Sequence, residues 1–439
     1  MTNGKWMGTL LISVLALAGA CSGTRKATAG TPAPAGITDS AQLMTDDSLL
    51  TALLASRPAF FADVVQRRKS FKLQIIYTEI NRNARNEPSF TRHYFNLSDS
   101  QYFYPASTVK MPVALLSLEV LNELKLPMVD KNASLITGAA YNKQTPVFND
   151  PSAADGRPSV AQYVKKIFLV SDNDAFNRLY ELLGQQKINA RLHAMGYTDA
   201  QLLHRLEISM TPDENRHTNP VSLYDTSGRL RYQQPMLINQ AQYDLRQDSA
   251  GHAYYSRGEL VPHAMDFSLK NRISLKDLTD ILQATLFPLS VPARQRFNLT
   301  DSDYLFLKKY MSEWPTESLY PPYSADTASY WPTYCKFLLF GSAKGPVPSN
   351  IRIFNKVGDA YGFLTDVAYI VDFDKKIEFM LSARIYCNAD EVLNDDRYDY
   401  DTVGFPFMKE LGQLIYDYEA KRPRKVLPDL SAFVMSYDK

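Results

Sequence analysis

The sequence predicts a mixed α/β (α+β) fold in which one discontinuous sandwich domain is built from both ends of the chain and interrupted by a mainly helical domain. Three observations carry this. Residues 72–80 and 90–95 read as neighbouring strands on either side of a charged turn, 81–87. Residues 351–356, 365–372 and 377–386 read as three more strands, the last two joined by a turn at 373–376. The long centre carries apolar residues at helical spacing, punctuated by Gly and Pro. The sandwich is therefore assigned to residues 43–104 and 335–425, the helical domain to 105–334 and a tail to 426–439.

In chain order, residues 1–20 have the form of an export signal: Lys5 is positive, residues 9–20 are apolar but too few to span a bilayer, and Ala18-Gly19-Ala20 leads into Cys21. This resembles a bacterial lipoprotein signal. It implies Cys21 as the lipidated first residue of the mature chain and a body held by a lipid anchor on the periplasmic side of the envelope. Residues 21–42, rich in Ala, Thr, Gly and Pro, read as a flexible tether. Residues 46–68 are helical, with Leu49, Leu50, Leu53 and Leu54 at core spacing and Pro58 marking a break. A helix from Ser107 to Leu124 is apolar nearly all round and must be buried. Further helices are expected at 160–170, 174–183, 186–195, 275–286 and 406–419. Residues 226–271, rich in Tyr, Gln and Arg, are an insertion that forms either a flap over a cleft or a packed surface lobe.

Composition excludes some partners. The 48 basic and 47 acidic residues nearly cancel, so no basic field exists to gather nucleic acid. The basic run 421–425 reads as part of a solvated tail. Cys335 and Cys387 remain after processing, and export permits but does not require their pairing. No Cys or His pair has zinc-site spacing and no glycine-rich phosphate loop occurs, so no metal or cofactor is expected. A monomer is expected.

Three short motifs occur in order: Ser107-Thr108-Val109-Lys110, Ser171-Asp172-Asn173 and Lys356-Val357-Gly358. Ser107 and Lys110, three residues apart on a buried helix, place a hydroxyl beside an amine whose proton affinity desolvation can lower. Spacing alone is a weak signal, since Ser436 and Lys439 repeat it in a segment read as a frayed tail. In order, the three motifs resemble the SxxK, SDN and KTG motifs of penicillin-recognising serine hydrolases, specifically the class A β-lactamases. A fourth element, Arg205-Leu206-Glu207, resembles that family's Arg-x-Glu at the start of its omega loop.

The resemblance covers roughly residues 72–419 and implies a β-lactamase-like fold with these roles. Ser107 is the nucleophile, Lys110 its proton acceptor, Ser171 a proton relay to the leaving nitrogen and Glu207 the base for the hydrolytic water. Asn173 and Lys356 bind substrate, Gly358 leaves it room, and the amides of Ser107 and Asp359 form the oxyanion hole, with the Asp359 side chain turned away. Two positions depart from the family: Val357 replaces a hydroxyl residue, and Thr211 stands where Asn usually helps hold the hydrolytic water. The expected activity is hydrolysis of a small-molecule β-lactam through a Ser107 acyl-enzyme. A D-Ala-D-Ala carboxypeptidase or other envelope amidase or esterase acting on peptidoglycan-like peptides, and a non-catalytic cell-wall peptide binder, remain open.

Overall fold

The computed structural model describes residues 46–438. The signal segment, Cys21 and the tether lie outside these residues. α1 (Ser48–Ala55) begins where the Asp47 carboxylate accepts the Leu49 amide, and α2 (Pro58–Gln66) begins on Pro58, whose missing N–H costs nothing in a first turn. β1 (Gln74–Arg82) and β2 (Pro88–Phe95) form the front hairpin. β3 (Ile351–Ala360), β4 (Phe363–Asp372) and β5 (Ile377–Tyr386) complete one antiparallel five-stranded sheet in the order β3-β4-β5-β1-β2. β1 joins the two halves by pairing with β5, Gln74 opposite Arg384.

Every residue of β4 and β5 is buried, because both faces of the sheet are covered. One face packs against α1, α2 and α9 (Phe405–Lys421), with Phe61, Ile353, Phe379, Leu411 and Ile415 in its core. The other packs against the central helices through Ile76, Phe354, Tyr369 and Met380. These helices are α3 (Lys110–Leu124), α4 (Val160–Val170), α5 (Asn173–Met195), the single-turn α6 (Pro212–Arg216), α7 (Leu275–Leu286) and α8 (Asp301–Ser312).

Several expectations need correction. Ser107 precedes the α-helix: it lies in a 3-10 turn, Ala106–Val109, and α3 starts at Lys110. The segments 174–183 and 186–195 are one helix, α5, kinked where Gly184 takes φ 72° and ψ 152°. α8 was not anticipated, although Thr300 and Asp303 form a capping box at its start. The central region also holds a small sheet of Ser134–Thr137, Val221–Tyr224 and Leu230–Gln234.

The carboxyl-terminal segment is docked rather than frayed. Leu430 and Phe433 enter the core, Tyr437 lies against the Arg352 guanidinium, and the Asp438 carboxylate accepts Lys165 and Lys309 at 3.0 and 2.6 Å. The basic run is likewise not simply solvated, because Arg422 and Arg424 fold back onto the buried Glu419. Cys335 and Cys387 are both buried and unpaired. The insertion is a packed lobe: Ala253–Ser256 pairs with Val392–Leu393, and Phe267 packs on Tyr102, Tyr104, Tyr361 and Phe363.

Candidate active site

Ser107 sits where the 3-10 turn meets the edge strand β3. The residue before it, Ala106, is held at φ 46°, a left-handed conformation that an alanine adopts only under constraint. Gly358 is required here by proximity rather than by backbone angle. A Cβ at that position would lie 2.8 Å from the Ser107 and Thr108 nitrogens and 2.7 Å from the Pro105 carbonyl oxygen, so no side chain fits. Strand and turn thus meet backbone to backbone at the Ser107 amide.

Lys110 is fully buried, one turn beyond Ser107. Its Nζ lies 2.8 Å from Ser107 Oγ, 2.6 Å from Asn173 Oδ1 and 3.2 Å from Ser171 Oγ, and it donates to the Ser171 carbonyl oxygen. Burial, reinforced by the nearby Lys356 charge, pushes the Lys110 ammonium well below its ordinary pKa. A neutral amine has two N–H groups and one lone pair. The Ser171 carbonyl and Asn173 Oδ1 take the two hydrogens, which leaves the lone pair for the Ser107 hydroxyl.

The Ser171-Asp172-Asn173 turn divides its labour. Ser171 ends α4 in the left-handed region at φ 59°, and Asp172 caps α5 by accepting the Ala175 amide at 2.8 Å. The capping work therefore falls to Asp172, and the side chains on either side face the lysines. Ser171 Oγ accepts Lys356 Nζ at 2.8 Å and so stands between the two lysine side chains. Asn173 bridges the site, because its Nδ2 donates to Glu207 Oε2 at 2.6 Å while its Oδ1 accepts Lys110. Lys356 is 2 % exposed and also donates to the Val357 carbonyl at 2.8 Å; burial pushes its pKa down to about 8.

Glu207 is exposed and has φ 59°. Its position is fixed by its neighbours. Asn177, one turn beyond Asn173 on α5, holds both the N–H and the C=O of Leu206, at 2.9 and 3.0 Å. Arg205 is buried; its Nε lies 3.1 Å from Glu181 and its guanidinium donates to the His217 carbonyl at 2.9 Å. The i, i+4 spacing of Asn173 and Asn177 was the available signal for this clamp, which the motifs alone did not reveal. Thr211 is occupied elsewhere, its hydroxyl accepting the Glu214 amide as the cap of α6.

Asp359 is exposed and lines the cleft. Its crowded surroundings raise the carboxyl above its ordinary pKa, against the opposing pull of Lys356 and Lys110. Val357 is buried among the apolar residues of the sheet and presents only hydrocarbon to the cleft. Another part of the cleft lining, which sequence reasoning missed, is the segment around Cys335, bonded to β3 by Asn355 Nδ2 donating to the Cys335 carbonyl at 2.9 Å. It is fixed by a buried network: Lys336 Nζ donates to the Met311 and Ile353 carbonyls and to Asn355 Oδ1 at 2.8, 2.9 and 2.6 Å, and Asp366 accepts the Phe337 and Leu338 amides at 3.1 and 2.9 Å. Burial pushes the Cys335 thiol up to about 11, so it stays protonated and is a poor nucleophile beside Ser107.

A serine beside a buried lysine, at the junction of a sheet edge and a helical layer, is a serine-hydrolase-like arrangement. Residues 61–252 match the sequence model of the β-lactamase enzyme family. The matched span holds Ser107, Lys110, Ser171, Asn173 and Glu207 and stops short of Lys356. Solved structures similar to this chain include a β-lactamase from Desulfarculus baarsii at 14 % identity, covering 85 % of this chain and 99 % of that one with a TM-score of 0.43. A β-lactamase from Xanthomonas campestris pv. campestris is also 14 % identical, covering 84 % and 98 % with a TM-score of 0.45. A class A β-lactamase of the last common ancestor of Gram-negative bacteria is 14 % identical over 84 % and 99 %, with a TM-score of 0.46. No curated protein matches the chain.

Proposed function

We propose that the protein is a serine hydrolase that opens β-lactam amides through an acyl-enzyme on Ser107. The observation that carries this is the buried Lys110 Nζ at 2.8 Å from Ser107 Oγ, with its other partners arranged for a neutral amine. Ser107 Oγ bonds the lactam carbonyl carbon as its proton passes to Lys110. The C–N bond then breaks, and the nitrogen takes a proton by way of Ser171, which lies within reach of Lys110 and Lys356. Water, deprotonated at Glu207, attacks the ester and restores Ser107.

The experiment is intact-mass spectrometry of the protein mixed with benzylpenicillin. Glu207→Gln is expected to gain the mass of one drug molecule on Ser107 and to hold it at least about tenfold longer than the native protein, since a general base contributes on the order of 10²–10⁴ in rate. Equal adduct lifetimes would remove Glu207 from the deacylation step. Absence of both adduct and drug destruction would reduce the chain to a binder.

A second reading, an amidase or esterase acting on substrates without a carboxylate beside Lys356, is favoured by one observation. Val357 offers no hydroxyl there, and a hydrogen bond to a charged group contributes about 1.5–3 kcal/mol. For localisation, the amino-terminal sequence supports an exported, lipid-anchored protein with Cys21 as the acylated residue. Metabolic labelling with a fatty-acid analogue is expected to mark the native chain and to miss Cys21→Ser; equal labelling of the two would sink the assignment.

A further inference from the structure

The cleft does not end at Ser107. It encloses about 700 Å³ and runs along the open edge of β3, past Val357 and Asp359, to the start of α9. Its walls in this second arm are aromatic: Trp331 and Tyr334 are half-buried, and Phe60 at the rim is 54 % exposed. Rings left partly in water at a concave rim gain by being covered with apolar area, and their faces also attract cations.

The arm is also acidic. Asp359, Asp401 and Glu410 line it against one ammonium, Lys409, and among the described residues none of the three carboxylates has an ion-pair partner. The start of α9 does not reverse this sign. The Val403 and Gly404 amides donate to the Asp399 carbonyl at 2.9 and 3.1 Å, and the Phe405 amide donates to the Tyr400 carbonyl, so these three N–H groups are not offered to an anion. Two other cations lie nearby: Lys356 is buried and already donates to Ser171 and Val357, and Lys344 Nζ sits 4.7 Å from the centroid of the Trp331 ring, which leaves Tyr334 and Phe60 as the uncovered aromatic faces.

We infer that this arm is a subsite for an apolar or aromatic group ending in a cationic nitrogen, so that ammonium-bearing esters or amides are the preferred acyl donors at Ser107. The inference rests on the Ser107 acyl-enzyme proposed above. Three p-nitrophenyl esters of similar length serve as probes: 6-(trimethylammonio)hexanoate, heptanoate and the monoester of heptanedioate. In each, Ser107 Oγ bonds the acyl carbon, p-nitrophenolate departs and the serine proton passes to Lys110. Water then cleaves the acyl-enzyme to the free acid and Ser107.

The expected kcat/KM order is cationic, then neutral, then anionic, with the ends separated by about tenfold, the factor that a 1.4 kcal/mol difference represents. Asp401→Asn combined with Glu410→Gln is expected to narrow that separation to below about threefold. An anionic ester turned over as fast as the cationic one, with the rate lost in Ser107→Ala, overturns the subsite and leaves the acyl-enzyme standing. Rates unchanged in Ser107→Ala overturn both.

Discussion

Ser107→Ala is expected to abolish covalent labelling by benzylpenicillin and all drug turnover while keeping the fold, and Lys110→Ala to lower the acylation rate by about 10²–10⁴-fold. The first removes the atom that bonds the carbonyl carbon. The second removes the proton acceptor next to it. Because only the neutral amine accepts a proton, the native acylation rate should rise with pH through the folded Lys110 pKa and level off well below 10.5, its ordinary value. Lys356→Met takes away a like charge that favours neutral Lys110, so the rising limb should move to higher pH. Stopped-flow acylation from pH 5 to 10, with circular dichroism as a check on folding, measures all three. A Lys110→Ala rate within about threefold of native would show that another group accepts the proton.

Arg205→Ala should cost about 3–5 kcal/mol in urea unfolding, the range for breaking a buried ion pair from one side. The guanidinium has no exposed surface, contacts the Tyr180 ring and bonds both Glu181 and the His217 carbonyl. Burial already pushes the Glu181 carboxyl up despite Arg178 and Arg205, so losing one cation leaves it poorly compensated. Pairing Arg205→Met with Glu181→Leu should recover at least half of the loss, because the remaining penalty is desolvation rather than missing contact. If the double variant is no more stable than Arg205→Ala, the guanidinium's packing against Tyr180 outweighs its charge. Loosening this anchor should also shorten the difference between native and Glu207→Gln adduct lifetimes, since Arg205 fixes the loop that carries Glu207.

The sheet was legible because burial on both faces writes itself as uninterrupted apolar runs such as Val367 to Val371, and a short turn separates β4 from β5. The motif residues were legible because each is encoded locally: Ser107 and Lys110 by one helical turn, Asn173 by its place after the α4 stop, and Gly358 by its place late in a strand. The cleft lining around Cys335 was not. Trp331 to Ala343 has neither period, and what holds it is a tertiary network through Lys336, Asn355 and Asp366 that no spacing announces. The docked tail failed for a related reason, since Leu430 and Phe433 are too few and too scattered to show a face, and Asp438 finds its two lysines only in the folded chain. Thr211, read as a departure where the family carries Asn, could not be given a role from its position alone; its hydroxyl caps a helix.

The pairing of β1 with β5 also fixes an order of events in the life of each molecule. During synthesis β1 and β2 are available early, yet the edge of β1 that will receive β5 must wait until residues 377–386 have been made. Ser107, Lys110 and Ser171 likewise exist long before Lys356 and Gly358 can reach them. A growing chain therefore carries every nucleophilic part of the cleft but no closed cleft, and an apolar strand edge that invites wrong partners. Completion is a late, long-range step, slow by its topology, and Asp438, closing on Lys165 and Lys309, acts as a latch between segments far apart in the chain.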